Sequence, residues 1–237
     1  MLWEEWKPFY LDIVEKLELD VQADRMATAL LADLLEDIDP EPLLRDLKEL
    51  VAGCTVIVCG AGPSLERHLE TVIDSKEFSN AVYVAAGGAI SAFVNLGLNC
   101  DIIVTDLDGR MEHIREAVEH GTLAIVHAHG DNIEVVREFV PSLGEVLGST
   151  QVEPTDNVFL WGGFTDGDRA CHIVAQNAPR RIVLAGMDFG TTVGKWSKPN
   201  HKGDFHASKR KRIKLQIAEE LLTHLMSSSR IEYHLLG

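Results

Sequence analysis

Apolar residues in the first fifty positions recur every three or four residues: Leu11, Val14 and Leu17, then Met26, Leu30, Leu31, Leu34 and Leu35. That spacing lays them on one face of a helix. Asp39-Pro40 interrupts the pattern, and EPLLRDLKELVAG resumes it as far as Gly53. Residues 1–50 therefore read as a small N-terminal helical appendage ahead of a domain at 51–237. From residue 55 the rhythm changes. Six short apolar runs follow, each ending in a small or polar residue: TVIVCG (55–60), AVYVAAGG (81–88), DIIVTD (101–106), LAIVHAHG (123–130), NVFLWGG (157–163) and RIVLAGMD (181–188). Between most of them lie segments of helical length, about 64–74, 89–96, 110–120, 131–139 and 167–177. Continuous apolar strands alternating with helices predict an α/β fold, a Rossmann-like, mostly parallel sheet with helices on both faces. Such sheets take ligands beyond the carboxyl ends of their strands, and the unusual residues of this chain stand there.

Composition narrows the picture. A net charge of -15 over 237 residues argues against general nucleic-acid binding. The charge is uneven, however. Residues 194–216 gather Lys195, Lys198, Lys202, Lys209, Arg210, Lys211, Arg212 and Lys214 around one acidic residue, Asp204. A local cationic segment on an acidic protein suits a small anion better than a polyanion. This basic loop, 194–214, reads either as the solvated start of a last helix (207–226) or as a mobile lid over a triphosphate. No apolar run approaches the roughly 18 residues of a membrane span. The start, MLWEEWKPFY, lacks the order of a signal peptide. Cys54, Cys59, Cys100 and Cys171 show no zinc-type spacing and read as reduced thiols, so a cytoplasmic location is expected. Nothing in the sequence fixes the oligomeric state, and a homo-oligomer stays open.

Five strand ends carry candidate chemistry. In VIVCGAGPSL, Gly60, Gly62 and Ser64 lead from a strand into a helix, an arrangement that suits a phosphate and also suits a plain tight turn. The third glycine of a dinucleotide fingerprint is absent, as is the Gly-Lys-Ser/Thr of a Walker loop. In VTDLDG, Asp106 and Asp108 lie two residues apart, so a continuing strand would hold like charges side by side. That is unfavourable without a cation between them, and hard carboxylate oxygens favour Mg²⁺. In GGFTDGDRA, Asp166 and Asp168 offer two more carboxylates, although Thr165 before Asp168 also approximates a capping box. HAHGDN places His127, His129 and Asp131 at another strand end; they suit zinc or iron, or the wall of a polar pocket. The pocket reading is favoured, because the other carboxylates of the chain suit Mg²⁺. LAGMDFG ends its strand with Asp188, and Phe189 either stacks on a planar ring or packs beneath a turn.

Taken in order, GAGPSL, AAGGAISAFVNLGLNCDIIVTDLDG, HAHGDN, GFTDGDRA and LAGMDFG resemble the archaeal-type 6-hydroxymethyl-7,8-dihydropterin diphosphokinases. The catalytic fold of that family is similar to thiamine diphosphokinase. The resemblance covers about residues 50–237. It implies diphosphoryl transfer from ATP to hydroxymethyl-dihydropterin with release of AMP, a step toward methanopterin or folate cofactors, with small molecules as the only partners. It further implies Mg²⁺ held by Asp106, Asp108, Asp166 and Asp168, with the first three and Arg169 catalytic. Lys202, Lys209 and Arg210 would clamp phosphates, with Gly60, Gly62 and Ser64 as a cradle. His127, Asp131, Trp161 and Phe164 would wall the pterin pocket. Thiamine diphosphokinases carry Gly-Asp-x-Asp-Ser and Thr-Asp-x-x-Lys elements; here Gly109 replaces the serine and Arg169 the lysine, which speaks against thiamine as substrate. Thiamine diphosphokinase remains the alternative within this chemistry. A nucleotide-sugar glycosyltransferase and a non-catalytic nucleotide sensor are the alternatives outside it.

Overall fold

A computed structural model describes residues 1–237. Three helices open the chain: α1 (Trp3–Leu17), α2 (Val21–Leu34) and α3 (Pro40–Val51). Strand–helix alternation follows through β1 (Thr55–Cys59), α4 (Leu65–Ile73), β2 (Val82–Ala86), α5 (Ile90–Leu96), β3 (Ile102–Thr105), α6 (Met111–Glu119), β4 (Leu123–His127) and α7 (Ile133–Phe139). Two short strands, β5 (Leu147–Ser149) and β6 (Val158–Phe159), precede α8 (Asp166–Gln176) and β7 (Arg181–Ala185). The chain ends with a two-stranded ribbon, β8 (Thr192–Val193) and β9 (Phe205–His206), then α9 (Lys209–Ser228) and β10 (Glu232–Leu235).

Eight strands form one sheet in the order β10-β7-β1-β2-β3-β4-β5-β6, and every pair in it is parallel. The continuous apolar runs have their cause in burial on both faces. Ile57, Cys59, Ile103, Val126 and Val183 point into a core shared with α2 and α4 to α7. Their neighbours Val56, Val58, Val104, Ile125 and Ile182 point into a second core under α3, α8 and α9. From β1 the chain builds outward to β6, then returns to pair β7 with the other side of β1. The topological switch therefore lies between β1 and β7, where a crevice opens at the strand ends. No helix is long and apolar enough to cross a membrane.

The helices of the first fifty residues pack against the sheet and its covering helices. Ala27, Leu31 and Leu35 belong to the first core, and Leu43, Leu47 and Val51 to the second. Trp6, Tyr10, Ile13 and Leu17 pack with Ile217 and Leu221 of α9 in a third cluster. The amphipathic spacing was legible in the sequence, but which surface would receive those apolar faces depended on the sheet.

Candidate active site

The strand ends surround a cavity of about 610 Å³, a size ordinary for small-molecule sites. Its walls come from the ends of β1, β2, β4 and β7, the loop after β3, the N-terminal turn of α8, the α1–α2 junction and the start of α9.

Asp106, Asp108 and Asp166 converge in it, each offering an oxygen within 4.8 Å of the others. The strand stops at Thr105, so pleat alternation is not what aligns the first two. Leu107 takes the left-handed conformation, φ 65°, uncommon for a side chain of its bulk. Its side chain is buried in the first core. The Asp108 N–H donates to Asp106 Oδ1 at 3.2 Å, closing the turn that directs both carboxylates inward. Asp166 is the first residue of α8. Gly87 gives it room: Gly87 has φ 52°, and a Cβ there would overlap Asp166 Oδ2.

The electrostatics are those of crowded negative charge. Burial works to raise the Asp106 carboxyl, but the His129 N–H, Lys198 and the Asp108 N–H outweigh it and bring it down to about 2. Burial, then the charge of Asp106, pushes Asp108 up. Burial, then Asp106 and Asp108, pushes Asp166 well above the usual carboxylate range. His129 Nε2 lies 3.5 Å from Asp106 Oδ2. Its Nδ1 accepts from the Asp131 N–H at 3.2 Å, so the ring proton sits on Nε2, facing Asp106. Lys198 forms an ion pair with Asp108, which raises the lysine against the lowering effect of burial. Asp166 has no such partner. Three hard oxygen donors, an excess of negative charge and a glycine-cleared space fit a divalent cation of the Mg²⁺ type.

Other expected residues divide. Gly60, Gly62, His127, Asp131, Phe164 and Arg210 line the cavity. Ser64 does not: its N–H and hydroxyl both donate to Asp188 Oδ2, at 3.0 and 2.7 Å. Asp168 is also withdrawn from the metal group. Fully buried, it accepts from the Phe164 and Thr165 N–H groups and the Thr165 hydroxyl, the capping box its spacing had left as the rival reading. Arg169 lies beneath the floor, 1% exposed, its Nη2 donating to the Phe164 carbonyl. From there it acts by charge on Asp168 and Asp166 and not by contact with a phosphate. Trp161 packs against Phe159 in the second core and does not reach the cavity. Lys202 and Lys209 are exposed and outside it. In their place Lys198, Lys211 and Lys214 line it. Helical spacing explains the shift, since Arg210, Lys211 and Lys214 fall on one face of α9, one and four residues apart.

Several site residues escaped sequence reasoning. Asp24, 4% exposed, accepts from Tyr10 Oη (2.6 Å), Gln151 Nε2 (2.8 Å) and the Gly130 N–H (2.7 Å). It fastens α2 to the loop that carries His129. An aspartate inside an acidic amphipathic stretch gives no signal of such a role. Gly87-Gly88 did carry one, a glycine pair closing an apolar strand. A Cβ on Gly88 would strike the Trp196 carbonyl, so the pair also admits the 194–198 segment over the cavity.

The MptE-like family, described as 6-hydroxymethylpterin diphosphokinase MptE-like, matches residues 30–194. This chain belongs to that family. Three archaeal relatives named 6-hydroxymethyl-7,8-dihydropterin pyrophosphokinase align over nearly the whole chain. The protein of Pyrococcus furiosus is 41% identical over 97% of this chain and 96% of its own. That of Methanocaldococcus jannaschii is 37% identical over 97% and 98%, and that of Methanothermobacter thermautotrophicus 38% over 93% of each. Among solved structures, ornithine transcarbamoylase from Giardia lamblia gives a TM-score of 0.16 at 16% identity, covering 88% of this chain and 66% of its own. That likeness is too slight to bear on the fold. The family match begins inside α2.

Proposed function

We propose that this chain transfers the diphosphoryl group of ATP to the hydroxymethyl group of 6-hydroxymethyl-7,8-dihydropterin, releasing AMP. The observation that carries this reading is the meeting of Asp106, Asp108 and Asp166 at one point of a cavity edged by Lys198, Lys211 and Lys214. Family membership supplies the acceptor.

In the reaction, the alcohol oxygen bonds to the β-phosphorus while the bond from that phosphorus to the bridging oxygen of the α-phosphate breaks. The hydroxyl proton leaves to solvent. Little covalent chemistry falls to the protein, so positioning and charge neutralisation are its work. Asp106, Asp108 and Asp166 would hold Mg²⁺, which when bound neutralises charge on the transferring phosphates. Lys211, held below the usual lysine range by burial, and Lys214, 5.7 Å from the Phe164 ring centre, provide phosphate contacts along α9. Lys198 stands where it can pass from Asp108 to a phosphate oxygen once a cation occupies the carboxylates. His129 presents its Nε2–H to the same group.

The test is incubation of the purified protein with ATP, Mg²⁺ and hydroxymethyl-dihydropterin, followed by mass detection of AMP and the pterin diphosphate, with thiamine as competing acceptor. Equal turnover of thiamine, or ADP in place of AMP, overturns the reading.

A further inference from the structure

At the switch point between β1 and β7 one arm of the cavity has a distinct lining. Four glycines, Gly60, Gly62, Gly186 and Gly194, contribute bare backbone to it, and a Cβ on Gly62 would overlap Asp188 Oδ2. Phe189 stands at its side. The one charged side chain in this arm is Asp188, half-buried and without an ion-pair partner. Its Oδ2 is fixed by the N–H and hydroxyl of Ser64, and its Oδ1 accepts no hydrogen bond from the protein.

This arrangement tells against a phosphate beside the glycine loop. The donors at the start of α4 that would meet one are already engaged by a carboxylate, and that carboxylate would repel a second anion. The cavity's cations instead come from residues 198–214, with Lys198 and Lys211 in the field of Asp108 and Asp166. A flat heterocycle that presents donors suits this lining. Adenine offers one donor, its 6-amino group, beside the N1 acceptor, which a carboxylate opposes. The 2-amino-4-oxo ring of a pterin offers two adjacent donors, N3–H and the 2-amino group, and the unengaged Oδ1 of Asp188 has two lone pairs to receive them.

We propose that Asp188 is the specificity-determining residue for the pterin, receiving its N3–H and 2-amino group beside the glycines of the β1/β7 crevice. ATP then lies along the cation-lined arm, and the two substrates meet at Asp106, Asp108 and Asp166. This assignment rests on the proposed diphosphoryl transfer for the identity of the ring. It moves the pterin away from His127, Asp131 and Phe164, where the sequence had suggested it.

Binding to the full chain, followed by quenching of pterin fluorescence with Mg²⁺ and a non-hydrolysable ATP analogue present, tests this without turnover. The parent is expected to prefer 6-hydroxymethylpterin to 6-hydroxymethyllumazine, whose 2-oxo group replaces the 2-amino group, by about 100-fold or more. Asp188→Asn should weaken pterin binding by about 100-fold and reduce that preference to a few-fold. Its affinity for the ATP analogue should stay within about two-fold of the parent. Ser64→Ala, which keeps the carboxylate and the backbone donor, should retain the preference. Loss of the preference in Ser64→Ala, unchanged pterin binding in Asp188→Asn, or a loss confined to the ATP analogue would each overturn the assignment. Intact pterin discrimination in a protein that forms no AMP would instead sink the proposed reaction and leave Asp188 in its role.

Discussion

Gly87→Ala separates the fold from the chemistry more cleanly than removal of a carboxylate. The new methyl would overlap Asp166 Oδ2. To restore ordinary van der Waals contact the carboxylate must shift by about 1 Å, a displacement that costs on the order of 100-fold in rate when it falls on a reacting constellation. The backbone cost is separate. A left-handed alanine is roughly 1–2 kcal/mol less favourable than glycine there, which in a chain of this size lowers Tm by about 2–8 °C. Gly97→Ala is the control. Gly97 also has positive φ, 64°, but nothing lies within 4 Å of its Cβ position. It should reproduce the Tm loss with kcat/KM unchanged. Differential scanning calorimetry and initial rates of AMP release on both variants make the comparison. Parental kcat/KM in Gly87→Ala, or equal rate losses in the two, would refute the argument that Asp166 needs that cleared space.

Further outcomes are expected. Asp106→Asn and Asp108→Asn should each lower AMP release by at least about 10²–10³-fold while circular dichroism stays native; near-parental turnover in either contradicts the carboxylate assignment. Asp24→Ala leaves three donors without their acceptor and should destabilise the protein by roughly 3 kcal/mol or more, seen as a lower urea midpoint; an unchanged midpoint would show that those donors find water. Acid stability should follow His172, which burial holds down at about 4. Below its ordinary value near 6.5 the unfolded chain takes up a proton that the folded chain refuses. Stability present above pH 6.5 is therefore lost between pH 6.5 and 4, by roughly 3 kcal/mol. His172→Leu should flatten the slope of Tm against pH in that window, and coincident slopes would discount the histidine.

The sequence by itself determined the strand–helix alternation, because a strand buried on both faces must be apolar throughout, and Val56 to Val58 or Ile102 to Val104 show that directly. It also marked the strand ends carrying Asp106, Asp108, Asp166, His129 and Asp188, since charge directly after an apolar run is conspicuous. Short elements such as β5 and β10 carried too few residues for a pattern, and sheet neighbours had to define them. Only the tertiary structure decided which donor meets which acceptor. Asp166 and Asp168 stand two residues apart at the start of one helix, yet one faces the cavity and the other caps the helix, because a helical turn rotates neighbours away from each other. Ser64 and Asp188 are separated by 124 residues. Their contact, which takes the helix start away from phosphate, exists because β1 and β7 pair in parallel and bring both ends to the same edge. Long-range pairing of this kind follows from the packing of the whole sheet, and no local spacing encodes it.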